Sequence, residues 1–165
     1  MIYLATPYTH PDPSIQEIRY EKACELTSII ATCSVPCYSP IAFWHPIAQR
    51  YNLPGGFEFW RDQDAAAMRG CSELWAVKLE GWARSRGVAH EMSQWQDAKN
   101  FYLFDEHELT EVCAQYHERR NASVIALMKT VNALVGTGSP IGVAVGPATN
   151  TTDKPDAQDV FGPNL

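Results

Sequence analysis

The residues of this chain best suited to chemistry are a hydroxyl-bearing turn and three carboxylates. The turn is Ser85-Arg86-Gly87-Val88-Ala89-His90-Glu91. Ser85 Oγ and the N–H groups of a helix start at Gly87 can hold a phosphate or a hydroxyl. The same pair also suits an ordinary helix cap. Glu91 stands one turn further in. A helix N-terminus favours the ionised form of a carboxylate. An ionised, partly buried carboxylate can attack an electrophilic sugar carbon through an oxocarbenium-like transition state. A glutamate that merely suits the helix dipole is the plainer alternative. Asp62 and Asp64 form a second carboxylate set. Two carboxylates with different jobs are the usual equipment for breaking a glycosidic bond, although a solvated helix face has the same pattern.

The elements that must position these groups follow from hydrophobic pattern and turn chemistry. Residues 2–5 predict a short strand buried on both faces, and the three prolines of 6–13 predict a loop. Asp12 or Ser14 can cap a helix over 14–32 with Ile15, Ile18, Ala23, Leu26 and Ile30 inward. Residues 35–38 predict a second strand, 39–46 a loop, 46–52 a short helix and 57–70 a helix stopped by Gly70. Phe59, Trp60, Ala67 and Met68 are the candidates for the inner face of that last helix. A third strand over 73–79 precedes the Ser85 turn, a helix over 88–99 follows it, and a fourth strand spans 101–104. Helix-prone residues 109–134 carry an expected break near Asn121. Residues 136–165, rich in Gly, Pro, Thr and Asn, read as an extended or partly ordered tail to a single α/β domain over 1–135.

Strands alternating with helices predict a parallel sheet with right-handed crossovers. The class is a flavodoxin-like or Rossmann-like three-layer sandwich with four to five central strands. Ligands of such sheets bind at the carboxyl ends of the strands. Four groups would gather there: Tyr3 to Tyr8, including Thr6; Ser39 to His45; Asp62 and Asp64; and the Ser85 turn. Trp44 and Trp82 fall in expected loops, where an indole can stack on a base. His45 and His90 are lone histidines, a type more often packed or solvated than ligating.

Bulk properties narrow the classes. The 165 residues suffice for one core, with 45% hydrophobic and 19% charged residues and a net charge of −6. That charge argues against a general nucleic-acid reader, which needs a basic surface. A small anion can still sit in a local nest of N–H groups. The five cysteines match no zinc or redox spacing, and no signal peptide or membrane-length apolar run is present, so a cytoplasmic, thiol-reduced protein with no membrane partner is expected. No metal site or cofactor is expected. The glycine patterns of P-loop and dinucleotide-binding proteins are missing, as are the ligands of a zinc deaminase.

Three segments in order resemble the nucleoside 2-deoxyribosyltransferase-like superfamily: Ile2-Tyr3-Leu4-Ala5-Thr6-Pro7-Tyr8; Asp64 followed by an apolar helix and Cys71 to Val77; and Ser85-x-Gly87-x-x-x-Glu91. The likeness covers about residues 1–104. Tyr-Leu-Ala-Thr-Pro-Tyr, Ser39-Pro40-Ile41 and Gly81-Trp82-x-x-Ser85-x-Gly87 are similar, more narrowly, to a phage and bacterial branch known mainly as a domain of unknown function (DUF1937-like). The resemblance implies cleavage or exchange of an N-glycosidic bond. Glu91 would be the nucleophile, Asp64 would assist protonation of the departing base, and Tyr3 would hold the nucleophile or the sugar. Serine at position 85, where transferases acting on free nucleosides tend to carry aspartate, implies a nucleoside 5′-monophosphate as substrate. Exchange on free deoxynucleosides, a non-catalytic nucleotide-binding module and an NAD or ADP-ribose glycohydrolase are the alternatives. A homodimer or higher homo-oligomer is also implied, although the Asn or Ser that a neighbouring subunit of the family often contributes has no clear counterpart downstream of Glu91.

Overall fold

The computed structural model describes residues 1–95 and 98–135. The chain divides into two units, Met1–Arg120, which holds the sheet, and Asn121–Leu165. The expected tail, 136–165, lies outside the described residues.

Four strands, β1 (Ile2–Ala5), β2 (Cys37–Tyr38), β3 (Glu73–Val77) and β4 (Phe101–Phe104), form one sheet of order β2-β1-β3-β4. Every pairing is parallel, with Tyr3 opposite Tyr38 on one side and Leu74 on the other. The helices are α1 (Pro13–Thr32), α2 (Pro40–Tyr51), α3 (Phe57–Arg69), α4 (Arg86–Gln94) and α5 (Leu109–Val135). The fold is thus a mixed α/β sandwich of the flavodoxin or Rossmann kind.

β1 and β3 are wholly buried, and their side chains alternate between two cores. Ile2, Leu4, Trp75 and Val77 face Leu26 and Ile30 of α1 and Leu109, Val112, Cys113 and Tyr116 of α5. Tyr3, Ala5, Leu74 and Ala76 face Met68 of α3, with Met92 of α4 and Trp95 packed alongside. The loops after β1 and β3 therefore lie side by side at the carboxyl edge, between helices of opposite faces. That is the switch point where sheets of this kind bind ligands.

Several expected boundaries move. β2 is two residues long, because Pro36 has no N–H for a ladder and its carbonyl instead receives Ile2 N–H at 2.8 Å. The loop expected over 39–46 is helical. Ser39 caps α2 by accepting from Ala42 N–H at 3.3 Å, and Pro40 occupies the first turn, where its missing N–H costs nothing. Trp44 and His45 consequently stand on a helix. β3 stops at Val77, level with Phe104, the last residue of β4. α4 ends at Gln94, since Trp95 turns to extended backbone and packs its ring against the sheet. α5 runs past Asn121 without the expected break; no Pro or Gly stands there to interrupt it. Ile18 is exposed, being five residues and so about 140° around the helix from Ala23. Phe59 is also exposed, nine residues and about 180° from Met68.

Candidate active site

A cavity of about 530 Å³ opens at the carboxyl edge of the sheet. Glu91 and Asp64 line it together with Thr6, Tyr8, Trp44, His45, Ser85 and Gly87.

Glu91 enters from α4. Its side chain is buried, and Tyr3 Oη donates to its Oε1 at 2.6 Å. Tyr3 comes from the middle of β1 and is itself fully buried. Burial and the neighbouring carboxylates of Glu91 and Asp64 push the Tyr3 phenol far above its usual range, so it is a permanent donor. Glu91 stands at the sixth position of α4, beyond the turn over which the helix dipole acts strongly. The expectation that the dipole keeps it ionised is corrected here. Burial pushes its carboxyl up to about 8, the Tyr3 hydrogen bond pulls the other way, and the charge of Asp64 adds to the rise. Burial likewise lifts Asp64 to about 6. Near neutral pH Glu91 is therefore the carboxyl that keeps its proton, while Asp64 is the one that gives its proton up first.

Three buried polar atoms on or beside this wall have no hydrogen-bond partner: Asp64 Oδ1, Thr6 Oγ1 and Trp44 Nε1. The Trp44 N–H is directed toward the Tyr38 hydroxyl as a hydrogen-bond donor but falls short of full bonding geometry. Buried polar atoms are nearly always paired, so these orphans leave the cavity wall with unmet hydrogen-bonding capacity. Trp44 packs on Trp60 at 5.2 Å between ring centroids, and both indoles line the cavity.

Ser85 caps α4 by accepting from Val88 N–H at 3.3 Å. The N–H groups of Arg86 and Gly87, in the first turn, have no carbonyl one turn back to reach. A Cβ at Gly87 would meet nothing nearer than Ser85 Oγ at 3.9 Å. The protein itself therefore does not require glycine there, and its absent side chain leaves cavity space. Sequence reasoning passed over Arg84 and Arg86, which flank Ser85 and also line the cavity; two arginines bracketing the turn were the available signal. Arg86 pairs with Glu58 at 2.6 Å and lies over the Phe57 ring. Arg84 makes no ion pair among the described residues.

Three expected site residues stand elsewhere. Asp62 points to solvent and pairs with Arg61 at 3.1 Å, since two residues of helix turn it about 200° from Asp64. Ser39 is buried as the cap of α2 and does not line the cavity. Trp82 lies in a short 3-10 turn outside the cavity lining. Gly81, just before it, adopts φ 85°, which requires glycine. Arg19 of α1 ties this loop to the loop after β1, donating to Thr9 O at 2.8 Å and reaching Glu80 O at 3.5 Å.

A family model described as a domain of unknown function (DUF1937) matches residues 1–104. The chain belongs to the DUF1937 family. The matched DUF1937 segment ends with β4 and contains all four strands and every residue that lines the cavity. No curated protein matches the chain. Among the described residues of this DUF1937 protein, no helix is long and apolar enough to cross a membrane, all five cysteines are free thiols, and no three His, Cys, Asp or Glu side chains gather as metal ligands.

Proposed function

We propose that the protein cleaves the N-glycosidic bond of a (deoxy)nucleoside 5′-monophosphate with Glu91 as nucleophile. The observation that carries this reading is the buried Glu91 carboxyl, held by Tyr3 at 2.6 Å and facing the same cavity as Asp64. The resemblance to the nucleoside 2-deoxyribosyltransferase-like superfamily agrees with it. The ground state keeps the proton on Glu91; the reactive state is the minor arrangement in which that proton has passed to Asp64, leaving Glu91 as the anion. A Glu91 oxygen bonds to C1′ as the C1′–N bond breaks, and the bonding pair leaves with the base. Asp64 delivers its proton to the departing base. Water then attacks C1′ of the glycosyl ester, Asp64 takes the water proton, and Glu91 leaves as carboxylate. Trp44 and Trp60 offer the base an aromatic wall. Ser85 and the first N–H groups of α4 seat the phosphate. The same site passing the sugar to a second base would be a deoxyribosyltransferase. Incubation with deoxynucleotides and deoxynucleosides, with and without an acceptor base, tests the reading by free base formed. Release without acceptor is expected; release only with acceptor selects exchange, and tight binding with neither selects a non-catalytic module.

The phosphate seat makes two further predictions. Ser85→Asp keeps a competent helix cap but sets a carboxylate against the phosphate. Its kcat/KM on nucleotides is expected to fall roughly 100-fold while that on free nucleosides is spared; comparing the two substrate classes checks this. Gly87→Ala is expected to raise stability by about 0.5–1 kcal/mol, because alanine suits the helix better and meets no clash. The same methyl narrows the seat, so nucleotide binding weakens. Thermal melts beside calorimetric titration would show the two effects moving in opposite directions.

A further inference from the structure

A second constellation lines the same cavity and has no part in the steps above. His45 of α2 is 6% exposed. Its ring is stacked on Tyr20 of α1 with centroids 4.0 Å apart and planes 11° apart, so it cannot swing freely. Nε2 lies 3.2 Å from Glu17 Oε2, and Nδ1 lies 2.8 Å from the Tyr8 hydroxyl. A carboxylate can only accept, so Nε2 carries the proton that Glu17 receives. In the neutral ring of that tautomer Nδ1 is an acceptor, and Tyr8 donates to it. The Tyr8 proton is thereby committed to the protein interior. What the phenol oxygen has left for the cavity is a lone pair. The Gln49 side chain, also on the cavity wall, acts as a donor on one of that oxygen's two lone pairs, which leaves the second for a ligand.

We propose that Tyr8 is the specificity-determining hydrogen-bond acceptor of this cavity, with His45 and Glu17 as the positioning residues that keep it one. It selects a ligand that presents a neutral hydroxyl or N–H group to the wall formed by the loop after β1. This rests on the nucleotide reading of the site. The donor is then a sugar hydroxyl or an N–H of the base. A ligand lacking it leaves the wall of buried Thr6 and half-buried Tyr8, where Thr6 Oγ1 is already without a partner, still less satisfied.

Binding is measured by calorimetry in a Glu91→Gln background, so turnover plays no part. Whichever of dAMP, dGMP, dCMP and dTMP binds tightest is compared with two sets of analogues. One set varies the sugar: the ribo, 2′-deoxy and 2′,3′-dideoxy nucleotides of that base. The other removes the base donor: the nucleotide of unsubstituted purine or of pyrimidin-2-one. One set is expected to show discrimination of roughly tenfold or more, which identifies the donor. Tyr8→Phe is expected to bring that ratio near one by weakening only the donor-bearing ligand. Glu17→Gln, on an exposed side chain, frees the tautomer and is expected to lower the same ratio. A ratio unchanged in either variant, or an equal loss for all ligands, overturns the proposal and leaves the glycosidase reading intact. Failure of every nucleotide to bind overturns both.

Discussion

Glu91→Gln is expected to abolish base release while making the protein more stable at alkaline pH. The first effect follows from the attacking atom. An amide oxygen still accepts the Tyr3 hydrogen bond, so the fold around β1 is kept, but it cannot form a stable ester with C1′. Loss of a nucleophile costs roughly 10⁴-fold or more in turnover. The second effect follows from the carboxyl raised from 4.5 to about 8. The folded state binds this proton more tightly than the unfolded state does. Stability contributed by the protonated, buried form is complete below the unfolded value and is lost as pH rises through about 8. The full loss is on the order of 5 kcal/mol, at about 1.36 kcal/mol for each tenfold change in proton affinity. Glutamine has no proton to lose. Melting curves between pH 5 and 9 should therefore fall for the wild type and flatten for the variant, with the variant melting higher at the alkaline end. A residue kept for packing would lose stability on replacement; one kept for chemistry gains it.

The other large effect belongs to Asp64. Base release should trace a bell against pH, with limbs set by the pair raised to about 6 and about 8. Below the lower limb both carboxyls are protonated and no anion remains to attack. Above the upper limb both are ionised, no acid remains for the departing base, and the two charges oppose each other. The limbs belong to the pair rather than to either residue. Asp64→Asn removes the transferable proton and is expected to lower kcat roughly 10²–10⁴-fold on a natural base. A leaving group that departs without protonation should lose far less. Steady-state rates across pH with both kinds of substrate decide this. An equal loss on both would assign Asp64 to binding alone.

Much of the fold is legible in the sequence because β1, β3 and β4 are short, nearly uninterrupted apolar runs, as buried parallel strands must be. The Ser85 turn is equally legible, since a serine cap and a glycine before a helix leave few other conformations. The stretch 39–46 is not. Two prolines disguise a helix whose first proline sits in the first turn and whose second, Pro46, is tolerated within it. That misreading hid the partners of His45, because stacking on Tyr20 and bonding to Glu17 both require α2 to lie along α1. Asp62 and Asp64 are indistinguishable by type, and only helical phase separates the exposed one from the buried one. The protonation of Glu91 was out of reach for a different reason. Its place in α4 is local, but its burial depends on Tyr3 and the sheet, far away in the chain.

The most direct test of Glu91 as nucleophile is to catch the ester. A 2′-fluoro-2′-deoxynucleotide, whose electron-withdrawing fluorine slows hydrolysis of the intermediate, is mixed with the protein, quenched in acid and examined by peptide mass spectrometry. The expected result is the mass of one fluorodeoxyribosyl phosphate on the peptide that contains Glu91, with one equivalent of base released and no label in Glu91→Gln. Label on another residue, or sustained base release by Glu91→Gln, would contradict it.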